Sequence, residues 1–279
     1  MKYNFDEIAD REHEYGSYSS KWTDDPYFAQ MYQSDEMPAD RLPFFVADMD
    51  FRCMPEMIEA LAKTAQHGIF GYSMVPDEYY GAVCRWMNDR FDMDVKKEDI
   101  KIFHGAHAAV IAAIERLTKP GDGIIVPRPT YYYNMDVTSC GRYYVGFQLI
   151  NNGGYYTFDW DKFEELCKMK QNTMVILQQP HNPTGRCWKE DEIIRIADIC
   201  RRNGVIMLCD DVHMDISRKN VKVVPFMNVV GHDDIVMITG LNKTFNTAGL
   251  AVTNVIIKDE KLREKFGEVR NGLTPFGIS

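Results

Sequence analysis

Two rhythms of apolar and polar residues follow one another along this chain. Up to about residue 42 there is no sustained period: the stretch is polar, aromatic-rich and broken by Asp24-Asp25-Pro26 and Met37-Pro38, and it reads as an arm or cap. From Pro43 onward, short apolar runs alternate with amphipathic stretches, as in βαβ units. Ile100–Phe103, Ile124–Val126, Met174–Leu177, Val205–Cys209, Ile235–Ile238 and Val252–Ile257 read as strands. A helix is predicted to open at Pro55, with Ile58, Leu61, Ala62 and Ala65 at helical spacing and packed on a core. Further helices are predicted over Ala108–Leu117, Glu190–Cys200 and Asp259–Phe266. Near-continuous apolar strands need cover on both faces, and repeated crossovers make their sheet mostly parallel. The class is α/β.

Ligands of such sheets bind beyond the carboxyl ends of the strands, so the residues that leave each strand carry the chemical information. After Ile100–Phe103 come His104-Gly105-Ala106-His107 and a helix, a small-residue turn that lets amides face an anion. After Met174–Leu177, the prolines of Gln179-Pro180-His181-Asn182-Pro183-Thr184-Gly185 hold Asn182 in an extended turn. Asp210 follows Val205–Cys209, where a carboxylate leaving the core needs a cationic or hydrogen-bonding partner. Lys243 follows Ile235–Ile238 among small and apolar residues, a setting that tunes an amine for carbonyl chemistry.

Composition narrows the class further. The net charge of -9, with no Lys/Arg-rich run, gives no footprint for nucleic acid or an anionic membrane. No apolar run reaches the length of a membrane span, and acids sit where a signal peptide needs its apolar core, so a cytoplasmic protein is expected. The seven cysteines are scattered without a C-x-x-C pair, which argues for reduced thiols. A metal site could be drawn from Asp211-x-His213-x-Asp215 with His104 and His107, but a histidine near acids is more often a hydrogen-bonded structural residue, so no metal is expected.

The ordered set of Asn182 in N-P-T-G, Asp210 in D-x-x-H and Lys243 in K-T-F-N has spacings of 28 (210 minus 182) and 33 (243 minus 210). It resembles the pyridoxal-phosphate (PLP) enzymes of fold type I, the class I/II aminotransferase superfamily. Leu42–Phe51, His67–Tyr72 and Asn271–Gly277 resemble more closely its cystathionine β-lyase (MalY/PatB-type) group. The resemblance implies a large domain with a mostly parallel, seven-stranded sheet and an incomplete small domain. Residues 1–45 would form the arm and part of the small domain, and 46–279 the PLP-binding domain. Lys243 would hold PLP in a Schiff base and take the α-proton, while Asp210 would pair with the pyridine nitrogen. Asn182 would donate to the phenolic oxygen, Tyr131 would stack on the ring, and His213 would lie near the same oxygen. Gly105, Ala106 and His107 would face the phosphate, and Tyr72 would reach the phosphate of a second subunit in a homodimer.

The implied reaction is β-elimination from cystathionine or another cysteine S-conjugate, giving pyruvate, ammonia and a thiol. Aminotransferase is the alternative within the superfamily, and a catalytically impaired PLP-binding or interaction protein is the alternative outside it. Two departures from the family pattern bear on this. Gly240-Leu241-Asn242 stands where the family has S-x-S, leaving Thr239 or Thr244 to supply a phosphate-binding hydroxyl, and the chain stops before the segment that carries the family's carboxylate-clamping Arg.

Overall fold

The computed structural model describes residues 3–11, 19–22, 42–71 and 73–268. Tyr72, the two breaks near residues 24–26 and 37–38, and the 271–277 motif lie outside the described residues.

Seven strands form one sheet: β1 (Ile100–His104), β2 (Gly123–Arg128), β3 (Tyr143–Gln148), β6 (Asn172–Leu177), β7 (Ile206–Asp210), β8 (Ile235–Gly240) and β9 (Val252–Ile256). A small hairpin pairs β4 (Ile150–Asn152) with β5 (Tyr155–Thr157). The order in the main sheet is β1-β9-β8-β7-β6-β2-β3. β9 runs antiparallel to both its neighbours and the remaining pairings are parallel, so β1, β8, β7, β6 and β2 all deliver their carboxyl ends to one edge.

The near-continuous apolar strands are explained by burial on both faces. Ile125, Val175, Leu177, Met207, Cys209 and Met237 point into one core, where they meet α5 (Trp160–Lys168) and α6 (Glu190–Asn203). Their neighbours Ile124, Val126, Met174, Ile176, Leu208, Val236 and Ile238 point into the other, against α3 (Ala106–Leu117), α4 (Tyr133–Ser139) and α8 (Glu260–Phe266). Each strand thus alternates between two dry cores, and a single polar substitution along it would be buried on either side.

One predicted helix behaves differently from its expectation. α1 (Pro55–His67) forms where expected, with Pro55 in its first turn and Gly68 closing it at φ 72. Yet none of its residues is buried, and Ile58 and Leu61 are 48% and 44% exposed. Its apolar stripe meets no core among the described residues. The helices α2 (Asp77–Phe91), α4, α5 and α7 (Phe226–Val230), and the strands β3, β4 and β5, were not predicted. Among the described residues, no helix is long and apolar enough to cross a membrane.

Candidate functional site

Asp210 is the last residue of β7, the point where an apolar strand runs out of core. Its side chain is buried, and Tyr133 Oη donates to Oδ2 at 2.7 Å. Oδ1, also buried, has no partner. Burial raises the carboxyl pKa, against the Tyr133 bond, the Val212 amide and the charges of His107 and Lys243. A buried anionic oxygen left without a donor is costly, so the position is suited to a donor that arrives with a ligand.

Lys243 lies in the turn after β8, the strand beside β7. Burial lowers its pKa, while Asp210 and Asp48 pull the other way. The amine is thus shifted toward its neutral, nucleophilic form. Gly240 is required at the strand end, because a Cβ there would sit 2.8 Å from the Val252 carbonyl oxygen. Asn246, three residues beyond the lysine, exchanges hydrogen bonds with Met49 (2.8 and 2.9 Å) and donates to the Phe51 carbonyl at 2.9 Å. That stitching carries the 48–51 segment, and with it Asp48, to the lysine loop.

Asn182 follows β6, the next strand over, in a loop held from beneath by two buried glutamines. Gln178 Oε1 accepts from the Asn182 amide at 3.3 Å. Gln179 uses its side-chain amide on Trp188 and Val224 and its backbone amide on Asp211 Oδ1 at 3.0 Å. His181 bonds Thr184 within the same loop, and burial pushes its pKa down to about 4. The loop is thus tied down by bonds within the chain itself.

A fourth group comes from β1 and β2. Gly105 takes φ 95 to turn the chain from β1 into α3, whose first residues are Ala106 and His107, so their amides sit in the unsatisfied first turn. The His107 ring contacts both Asp136 oxygens through Nδ1 at 2.9 Å and the Tyr131 hydroxyl through Nε2 at 3.2 Å. The Asp136 bond raises its pKa, and the charges of Asp210 and Lys243 also reach it. Tyr131 is 39% exposed and packs edge-on against Tyr133, its ring center 5.7 Å away. His213 is driven to about 4 by burial, with Lys243 adding to the shift, so it is neutral at ordinary pH.

Lys243, Asp210, His213, Tyr131 and His107 are therefore one electrostatic cluster, with Asn182 at the adjacent strand end and Gly105 and Ala106 at the start of α3. Asp211 and Asp215 belong elsewhere. Asp211 faces the Gln179 loop, and Asp215 accepts from Trp86 and Thr244 while pairing with Arg90. No group of three or more histidines, cysteines or acids suited to a metal occurs among the described residues. Tyr133, Asp136, Asp48 and Asn246 were not singled out as functional from sequence. For Tyr133 the signal was the Tyr-rich run 131–133, which reads equally well as packing, while Asn246 and Asp48 lay inside the K-T-F-N and Leu42–Phe51 motifs without a role of their own.

The family model for aminotransferase class I and II matches residues 41–276. The chain belongs to this family. Among relatives, it is 34% identical over 278 residues to cystathionine beta-lyase PatB of Bacillus subtilis, covering 97% of this chain and 68% of that protein. Among solved structures, cystalysin from Treponema denticola, which contains a pyridoxal 5'-phosphate cofactor, superposes with a TM-score of 0.88 at 33% identity, covering all of this chain and 70% of that one. The PLP-bound C-S lyase from Staphylococcus hominis gives a TM-score of 0.86 at 29% identity over 99% of this chain and 68% of that one. The chain thus spans about two thirds of the length of the family members it matches.

Proposed function

We propose that the chain is a PLP-dependent carbon-sulfur lyase that performs β-elimination on an amino-acid substrate of the cysteine S-conjugate type, such as cystathionine. The observation that carries the reading is the buried, partnerless Asp210 Oδ1 beside a lysine of lowered pKa. This pair fits a group with a protonated ring nitrogen and an aldehyde, and the named relatives are lyases of this kind.

When bound, PLP supplies an aldehyde that captures amines and an electron sink for charge at the substrate α-carbon. The protein's own residues do the rest. Lys243 would hold the cofactor, and its amine, shifted toward neutrality, would be the base placed to take the proton from the substrate α-carbon. Asp210 would accept from the ring nitrogen and favour its protonated form. Asn182 would hold the phenolic oxygen, with His213, neutral through burial, beside it, and Tyr131 would pack against the ring. The amides of Ala106 and His107, with Gly105 permitting close approach, would hold the phosphate.

A second copy of the chain completes the reading. The exposed stripe of α1 and its flanks, where Ile69, Phe70 and Met74 are 72%, 78% and 91% exposed, suits a homodimer contact. Tyr72 lies in the same stretch and would reach the phosphate in the neighbouring subunit.

The test is the absorbance of the purified chain with PLP, before and after borohydride, in wild type and Lys243→Ala, followed by product analysis with cystathionine. A visible band that borohydride bleaches while fixing the cofactor covalently to the wild-type chain, and that is absent in the variant, together with pyruvate and thiol release, is the expected result. No band in wild type, or one that persists in Lys243→Ala, would overturn the site. A keto acid formed without ammonia would identify an aminotransferase instead, and a band without products a non-catalytic binding protein.

A further inference from the structure

A phosphate dianion at the start of α3 would meet backbone amides, and the threonine hydroxyls around Lys243 are already committed. Thr239 Oγ1 donates to Met214 Sδ at 3.5 Å, Thr244 Oγ1 to Asp215 Oδ2 at 3.1 Å, and Thr247 Oγ1 to the Leu241 carbonyl at 3.0 Å. Neither threonine expected to supply a phosphate-binding hydroxyl is free to do so. On the other side of the site, His107 occupies the first turn of α3, and its ring is held from two directions. Both Asp136 oxygens lie 2.9 Å from Nδ1, and the Tyr131 hydroxyl lies 3.2 Å from Nε2. Asp136 is nearly buried, at 8% side-chain exposure, while the imidazole is half open at 52%. A buried carboxylate against one ring nitrogen favours the doubly protonated ring, whose second N–H lies against the Tyr131 hydroxyl at the half-open side of the imidazole.

We propose that the His107 side chain, braced by Asp136, is a cationic phosphate-binding group of this site. The inference rests on the PLP reading above and adds to it a side-chain role that goes beyond the backbone amides. The charged groups that act on the ring are Asp136 from α4, Asp210 from β7 and Lys243 from the loop after β8, against partial burial, and the Tyr131 hydroxyl from the loop after β2 lies beside it as a neutral partner. Asp136 makes the largest contribution and keeps the ring charged to higher pH than an ordinary histidine, while Lys243 opposes it.

The experiment titrates PLP and pyridoxal, which has the same ring without the phosphate, into wild type, His107→Gln and Asp136→Asn, reading the absorbance of cofactor held on Lys243. His107→Gln is expected to weaken PLP roughly tenfold or more, the loss typical of a charge-assisted hydrogen bond, and to leave pyridoxal unchanged. Wild-type affinity for PLP should fall as pH rises through the raised His107 titration, and that component should vanish in His107→Gln. Asp136→Asn should shift it to lower pH. Equal PLP affinity in wild type and His107→Gln overturns the proposal while leaving the cofactor site standing, as does an equal loss of PLP and pyridoxal, which would mark His107 as a support for Tyr131 alone. Failure of wild type to bind PLP removes the site and the proposal together.

Discussion

At the carboxyl edge of the sheet, polar side chains are drawn into the fold and several find partners within one chain, Tyr133 on Asp210 Oδ2, Gln179 on Asp211 and Trp188, Asn246 on residues 49 and 51, while Asp210 Oδ1 is left open. Along α1 and its flanks the pattern is inverted, with Phe44, Ile69, Phe70 and Met74 mostly exposed and no buried residue in the helix. Most of the sheet-edge site comes from one chain, because strand ends fix its side chains and the hydrogen bonds behind them hold the strand-end loops. Among the described residues the α1 face has a helix of the right pattern and no core to pack on, so its stability there comes from local structure. The same sequence signal, an apolar period of 3.6, therefore has two meanings that only the surroundings separate.

The largest effect should come from the self-contained side. Asp210→Asn keeps an acceptor for Tyr133 but removes the charge that would hold a ring nitrogen protonated. Turnover of a cysteine S-conjugate is expected to fall roughly hundredfold, about 2.7 kcal/mol of barrier, with the urea midpoint nearly unchanged. An equal loss of activity and stability would instead make Asp210 a structural residue, and the contrast with α1 would weaken.

The next effect belongs to the open face. Replacing Ile58 and Leu61 together by Asp should dissociate a homodimer at concentrations where wild type is assembled, as seen by sedimentation, because each buried apolar side chain at such a contact contributes on the order of 1–3 kcal/mol. The secondary structure should persist, since neither residue is buried within the chain. A wild-type monomer, or a dimer indifferent to both charges, would leave the α1 face without this partner.

The sheet was legible because its strands are unbroken apolar runs, and the Asn182, Asp210 and Lys243 turns were legible because each follows such a run. β3 was not, because it lies at the edge of the sheet and its Tyr143-Tyr144-Val145-Gly146 mixes exposed and half-buried positions. α4 was hidden too, being seven residues long and opening inside a tyrosine run whose three members have different environments. Tyr133 and Asp136 could not be assigned from sequence because their partners, Asp210 and His107, lie 77 and 29 residues away. The side chains that carry chemistry sit at readable punctuation, whereas those that orient them are chosen by the folded neighbourhood.

The smallest effect tests what the self-contained site costs the fold. Asp211 is buried beside Asp210, and desolvation first, then the Asp210 charge, hold its carboxyl well above the ordinary value of 3.8. A folded-state pKa above the unfolded one means the protonated form stabilises the fold: that contribution is complete below pH 3.8 and is lost as pH rises toward the folded value. Asp211→Asn preserves the acceptor for the Gln179 amide and cannot ionise. It should therefore flatten stability against pH above 3.8 and raise stability at neutral pH by roughly 1 kcal/mol or more, measured by urea unfolding at a series of pH values. A variant less stable than wild type at neutral pH would mean that Asp211 is ionised and paired. The polar edge of the sheet would then be satisfied throughout, rather than carrying one strained carboxyl beside the one poised for a ligand.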